Sequence, residues 1–588
     1  LSSAPHEAMV VRDALGETAA DFFWQAVEGD RLSAEERFRA AVALAGLAPS
    51  DARWDKMARF VADTLTKQEP QVLNGWIDAL RPVGASLVDP LCTVFRDQKR
   101  SSAERSNAAL ALAELAADDL PRLTQLLLEA DAPQFAAILP KLDPRRPEAM
   151  RLLDQEIHGD AGPDRKLDFD REAAASRHAN AAIAFAHWGH LDSLWPLLVH
   201  SADPRVRTYL VHRLQRLGAD AERLVERLSV EPEPSARVAL LLALSRFEPQ
   251  SLPAQGVTAA VNTAAALYTD DADPGVHAAA EFLLRRWQRQ DLLERRQKSL
   301  DRDGGRGPTG WYVDQHDHTM VVVRGPVTFQ MGARPDDTGH TPPDEPLHAR
   351  RIGRSFAIGS KEITVEQFLQ FDPQFWWFQD YSPESDCPIN NVNWYDAARY
   401  CRWLSEQEGV DESQMCYPPR DEIKDGLRMP SDYLSRTGYR LPTEAEWECV
   451  CRAGAETSRF FGESEDLLAD YAWTFANSQF RAPGRIDSRY CARKVALLLP
   501  NDLGLFDILG NAMEWCQESY RPYVIHDDGR PADDFEDLEE IRDAQRRVLR
   551  GGAYLYQPSD ARAPHRDNHP AGARQPYVGF RVARTLGE

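Results

Sequence analysis

His565, Asp567 and His569 alternate along one short stretch, and a His-Asp-His set is a donor combination for a facial non-haem iron centre. The flanking Pro564, Pro570 and Gly572 argue for a loop, where an i, i+4 spacing fixes no common face. His187 and His190 stand at i and i+3, which puts two imidazoles on one helix face. No carboxylate or cysteine supports them at a useful interval, so packed or solvated histidines are expected there, as for His178, His200 and His212. Cys449 and Cys451 sit two apart on a predicted helix, point to different sides and cannot easily share a zinc ion. The chain has no Gly-rich loop with a following lysine and no Asp-Phe-Gly, so kinase chemistry is not expected. No Cys/His protease dyad can be assigned.

The elements that must hold these residues fall into two halves. Up to about residue 300 the chain is rich in Ala, Leu, Arg and Glu at helical spacing. Beyond 311, Gly, Trp, Tyr, Asn and Cys become common and short strand-like runs such as Met320–Val323 appear. Residues 297–310, with a Gly-Gly pair and a Gly-Pro step, read as a linker. The domains expected are thus 1–296, a helical repeat domain, and 311–588. The repeats show in Arg37–Leu44, Arg105–Leu112 and Arg177–Phe185, offset by about 70 residues, which suits pairs of helical hairpins. Asp203-Pro204-Arg205-Val206-Arg207 and Asp273-Pro274-Gly275-Val276 place proline in a first helical turn, and this form resembles HEAT repeats. One hairpin cannot bury its own apolar face, so a stacked solenoid that binds a protein partner is expected.

Composition narrows the function classes. With 69 Lys and Arg against 92 Asp and Glu, the net charge of −23 repels phosphate backbones, so no nucleic-acid partner is expected. No run of about 18 apolar residues supports a membrane span, and the first residues lack a secretory pattern. Eight cysteines in 588 residues fit buried thiols in a reducing, cytoplasmic compartment. The chain does not begin with methionine, which is compatible with a piece of a longer protein. Nine carboxylates within His526–Gln545 predict a solvated acidic flap.

The second half carries an ordered motif series. It runs Gly325–Gly332, Phe356–Phe368, Asn391–Leu404, Tyr439–Glu448, Asn501–Asp507, Gly510–Trp515, Arg550-Gly551-Gly552 and Gly579-Phe580-Arg581. Over residues 311–586 this series resembles the formylglycine-generating-enzyme, or sulfatase-modifying-factor, domain family. The resemblance implies an α+β fold related to C-type lectins, behind an all-α HEAT-like solenoid. Active members of the family bind copper through two cysteines shortly after Arg-Gly-Gly; the matching positions here are Tyr556 and Ala561. Neither a phenol nor a methyl group is a soft metal ligand, so that oxidase chemistry is not expected. A related branch, the ergothioneine sulfoxide synthases, keeps an iron-dependent oxidoreductase as the alternative, built around His565 and His569.

The expected role is therefore a non-catalytic binding or regulatory protein, similar to the C-terminal regions of bacterial signalling proteins. Its partner would be a protein, a kinase or caspase-like protease among the candidates. A protease substrate in a bacterial defence pathway is a further alternative. In the family's binding branch the segment after Arg-Gly-Gly forms the recognition face, which assigns Tyr554, Tyr556, Asp560, His565, Asp567, His569 and Tyr577 to ligand binding. Arg562, Arg566 and Arg574 are expected to brace the fold. The family's Gly-Asn-x-x-Glu-Trp motif supplies calcium oxygens, which assigns Asn511 and Glu514 to a structural calcium ion and Asn477 to a second site. A capping role for Asn511 and Glu514 stands beside that assignment.

Overall fold

The computed structural model describes residues 19–29, 31–158, 168–298, 300, 309–335, 337, 339–340, 344–480, 489–526 and 528–587. Most of the expected linker therefore lies outside the described residues. Every regular element described before residue 300 is a helix. No described helix is long and apolar enough to cross a membrane. The chain divides into two compact units: 1–165 with 173–194 and 216–219, and 166–172 with 195–215 and 220–588.

In the first unit, local signals start the helices. Ser33–Glu36, Ser101–Glu104 and Asp131–Gln134 form reciprocal capping boxes that satisfy otherwise orphaned N–H groups. The recurring motif then explains the stacking. Asn107 Nδ2 donates to Thr66 O and Gln68 O, and Asn180 Nδ2 donates to Leu127, Leu128 and Ala130 O. Each asparagine thus closes the end of an earlier helix whose last carbonyls lack partners. Charged pairs link successive hairpins at one interval: Arg81–Glu114, Arg96–Glu129 and Arg122–Asp89 are each 33 residues apart. His187 is a packing histidine, with Nε2 2.6 Å from Leu217 O.

The second unit joins the later helices, Arg205–Arg213 through Gln290–Gln297, to the sheet-containing part. His277 stacks between Tyr268 and Trp311, with ring centroids at 4.4 and 3.7 Å. Asp502 accepts from Arg207 Nη1 at 2.6 Å and lies 2.7 Å from His200 Nδ1. Lys361 Nζ reaches Glu281 Oε1 at 2.6 Å. Compactness therefore follows these pairs across the expected boundary.

The sheet-containing part has a five-stranded sheet ordered Trp311–Val313, Thr319–Val323, Phe356–Gly359, Ala583–Thr585 and Tyr439–Arg440. A four-stranded sheet is ordered Arg566–Pro570, Arg546–Arg550, Met513–Ser519 and Val578–Gly579. Between them sit Trp394, Trp515 and Phe580, all fully buried. The acidic segment departs from a solvated flap. Ala532–Asp533 pairs in parallel with His348–Ile352, and Ile541 is fully buried. Asp537 accepts from Ser519 N and Arg547, while Asp534 accepts from Arg354 and Thr443 Oγ1. Distant cations and hydroxyls neutralise the repulsion that charge density alone predicts.

Candidate functional site

Arg550, Arg562 and Arg566 build the floor of the segment after Arg-Gly-Gly. Arg550 is fully buried and pairs with Glu448 and, at 3.0 Å, with Glu444. Arg562 engages Glu345 at 3.0 and 3.1 Å, and Arg566 engages Glu444 at 2.6 and 2.9 Å. Gly551 and Gly552 adopt φ of +98° and +72°, which releases the chain from the strand into the loop above these pairs.

That loop returns as the strand Arg566–Pro570, antiparallel to Arg546–Arg550, with Leu549 opposite Asp567 and Arg547 opposite His569. Period-two alternation puts Asp567 and His569 on one face. Tyr556 Oη donates to Asp567 Oδ2 at 2.8 Å, and His569 Nε2 lies 3.1 Å from Tyr577 Oη. The rings of Tyr556 and Tyr577 meet edge to face at 5.6 Å. Four of the seven expected ligand residues therefore form one half-buried cluster. Burial, then the Asp567 carboxylate, pushes the Tyr556 phenol up. Burial also lowers His569.

The other three stand apart. Tyr554 is fully buried, its hydroxyl bound to Pro576 O at 3.2 Å, so it offers nothing to a ligand in solution. Asp560 closes the 3₁₀ turn Pro558–Asp560 by accepting from Gln557 N. His565 turns to Glu345, at 3.7 Å. His565 precedes the strand Arg566–Pro570 and faces Glu345, whereas His569 lies within the strand and meets Tyr577, so the two imidazoles have different partners. Among the described residues no three His, Cys, Asp or Glu converge as a metal cluster.

Aromatic residues not expected from the sequence extend the face. Phe475, 40% exposed, donates its backbone N–H to Tyr556 O and stacks on Tyr490 at 4.2 Å. Trp376, 63% exposed, is held by Asn391, whose Nδ2 donates to Trp376 O and whose N donates to Gln575 O. The available signal was the run Phe375-Trp376-Trp377-Phe378, which has too many aromatics in a row for one buried face.

The calcium residues meet a different environment. Arg581 grips Glu514 Oε1 and Oε2, each at 2.6 Å, and Trp447 Nε1 donates to Oε2. Glu514 is thus neutralised by a guanidinium and does not fit a calcium ligand. Asn477 Oδ1 accepts from Thr474 N and closes a turn. Asn501 spends its side-chain oxygen on Leu503 N and Leu505 N. Asn511 Nδ2 donates to the Glu362 carboxylate at 2.6 Å, and its Oδ1 accepts from Arg493 N at 2.8 Å, so its oxygen is also spent within the fold. Next to these groups lies Asp507, whose Oδ1 is buried without a partner. Burial, then Asp507 and Glu514, raises Glu362, and burial pushes Asp507 up to about 6. Two buried carboxylates that repel one another, with an orphaned oxygen, suit a hard cation or a held proton.

The cysteines are all buried and free. Burial pushes the thiols of Cys387 and Cys449 up to about 12, far from a reactive thiolate.

Residues 312–586 match the Sulfatase-modifying factor enzyme 1-like domain. A chaperone protein LppX of Paenibacillus barcinonensis is 24% identical over 39% of this chain and 80% of its own length. The serine/threonine-protein kinase pkn1 of Chlamydia pneumoniae is 27% identical over 34% of this chain. The inactive C-alpha-formylglycine-generating enzyme 2 of Mus musculus is 24% identical over 37% of it. The chain spans 24% of the kinase and 56% of the mouse protein.

Proposed function

Because residues 312–586 form a domain of the sulfatase-modifying-factor family, we propose that this protein uses that domain for recognition and not for oxidation. The observation that carries the reading is the state of positions 556 and 561. Where the family's enzymes are expected to hold copper on cysteines, this chain places a tyrosine bound to Asp567 and a fully buried alanine. Similarity to an inactive paralogue and to a region of a kinase is compatible with a non-catalytic, regulatory role.

In this reading Tyr556, Asp567, His569 and Tyr577, with Phe475 and Trp376 beside them, form the recognition face. Such aromatic residues supply contact area at low entropic cost, and the carboxylate and imidazole set orientation. The helical hairpins act as the scaffold for a protein partner in a bacterial signalling or defence pathway. Calcium is a structural component at the carboxylates of Glu362 and Asp507, beside Asn511, where it would neutralise their buried charge.

The test is elemental analysis of the purified full chain, followed by pull-down from a bacterial lysate with wild type and Tyr556→Ala/Asp567→Ala. Calcium without iron or copper, and a partner lost in the double variant, supports the reading. Stoichiometric copper or iron in the wild type that is lost in His565→Ala or His569→Ala overturns it.

A further inference from the structure

A second pocket lies away from the Tyr556 face, where the acidic segment crosses the domain. It has a volume of about 40 Å³ and is lined by Met331, Arg350, Glu518, Pro522, Val524 and Phe535, among others. A water molecule's share of the liquid is ~30 Å³, so the space suits one small polar head group. Glu518 is the unusual residue there. Its recorded hydrogen bond comes from Glu444 N at 2.8 Å, and among the described residues no cation pairs with it. Its neighbour Glu444 is already held by Arg550 and Arg566. The two arginines of the lining pair with other carboxylates, Arg350 with Asp534 at 3.4 Å and Arg521 with Asp537 and Glu539 at 3.4 Å, and both guanidinium groups lie over the Phe535 ring, at 5.5 and 5.4 Å. Burial, then the Asp534 and Glu444 carboxylates, raises Glu518, so its carboxyl keeps its proton until a cation arrives beside it.

Two independent features mark the mouth. Arg350 is more than nine-tenths buried, lines the pocket, and its Nε has no acceptor. That N–H is suited to a backbone carbonyl arriving from outside. Val524 and Phe535 are 49% and 38% exposed, and Leu538 farther along the segment is 48% exposed. Asp533 flanks Phe535 with an exposed carboxylate. Apolar contact area interleaved with negative charge is complementary to a basic segment, whose long side chains carry an apolar stem and a charged tip.

We propose that this pocket receives a lysine side chain from a basic segment of a partner protein. The ammonium sits at Glu518, the methylene stem lies along Pro522, Val524 and Phe535, and Arg350 Nε donates to the segment's backbone. Lysine is preferred over arginine because a compact ammonium fits the volume and a planar guanidinium does not.

Titration of the full chain with Nα-acetyl-lysine N-methylamide, followed by saturation-transfer nuclear magnetic resonance, tests this directly. Nα-acetyl-norleucine N-methylamide, which keeps the stem and lacks the charge, should bind at least ~10-fold more weakly. Glu518→Gln should weaken the lysine probe by a similar factor, while Asp528→Asn, an exposed carboxylate of the same segment, should change it less than ~2-fold. Equal binding of the two probes overturns the proposal. So does an equal loss in Asp528→Asn and Glu518→Gln, because the general field of an acidic chain would then hold the probe. Should Glu518→Gln fail to fold, Phe535→Ala at the exposed rim carries the same test, and unchanged binding there overturns it. Loss of the Tyr556-dependent pull-down would leave these outcomes untouched, since the two surfaces share no residue.

Discussion

Replacing Arg581 by methionine should destabilise the second unit by ~4 kcal/mol or more, because it breaks a fully buried ion pair from one side. Arg581 and Glu514 are 0% and 1% exposed. Arg581 also donates to Gly359 O and Phe506 O, so two carbonyls lose a donor, at about 1 kcal/mol each. Methionine keeps most of the stem's packing, which confines the loss to charge and hydrogen bonding. Glu514 would be left with Trp447 Nε1 as its remaining donor, in the field of Glu362 and Asp507. At roughly 2 °C per kcal/mol for a large unit, the transition should fall by about 8–12 °C. The assay is thermal and denaturant unfolding of the full chain, each read by tryptophan fluorescence, since Trp447 and Trp515 are both buried in this unit. Arg581→Met/Glu514→Leu removes both charges and should recover more than half of the loss. A single variant within about 1 kcal/mol of wild type refutes the reasoning, as does a double variant as unstable as the sum of its parts.

Three further outcomes follow from the same structure. Asn180→Ala should cost about 1–3 kcal/mol in the first unit, read by faster amide exchange around Leu127–Ala130, because three carbonyl bonds vanish at once. His277 has its folded pKa lowered to about 4 by burial, so its contribution is present above pH ~6.5 and is lost as pH falls toward 4; His277→Phe should flatten that part of the stability profile. Asp507 has its folded pKa raised to about 6, so the opposite sign applies: its contribution is present below pH ~4 and is lost as pH rises through 6. Calcium should replace the missing proton, raising the melting temperature at pH 8 in wild type and not in Asp507→Asn; equal effects in both would exclude this aspartate as a ligand.

The order of motifs made the family legible, and helical spacing with capping residues made the first half legible, because both signals are local. The cluster proposed for recognition was legible in part. Tyr556, Asp567, His569 and Tyr577 lie within 22 residues, with Asp567 and His569 on one strand and the two tyrosines in the loops on either side of it. Tyr554 was misplaced because its burial depends on Pro576 and on Tyr381, stacked at 6.4 Å from another part of the chain. The iron spacing failed for a related reason: His565 turns to Glu345, 220 residues earlier, while His569 is placed by a strand that exists only by pairing with Arg546–Arg550.

The charges explain the remaining differences. A run of carboxylates in sequence says nothing about the arginines that reach it, and here Arg354 meets Asp534 from 180 residues away. The same long-range pairing removes Glu514 from calcium duty and leaves Glu362 and Asp507 with their charge unsettled. In this domain, then, buried arginines decide which carboxylates are structural, and the informative ones are those no arginine reaches. Glu518 and Asp507 form no ion pair with an arginine, one facing a pocket and one lying beside Glu362, and these are the two places where a cation from outside the chain is proposed to complete the charge balance.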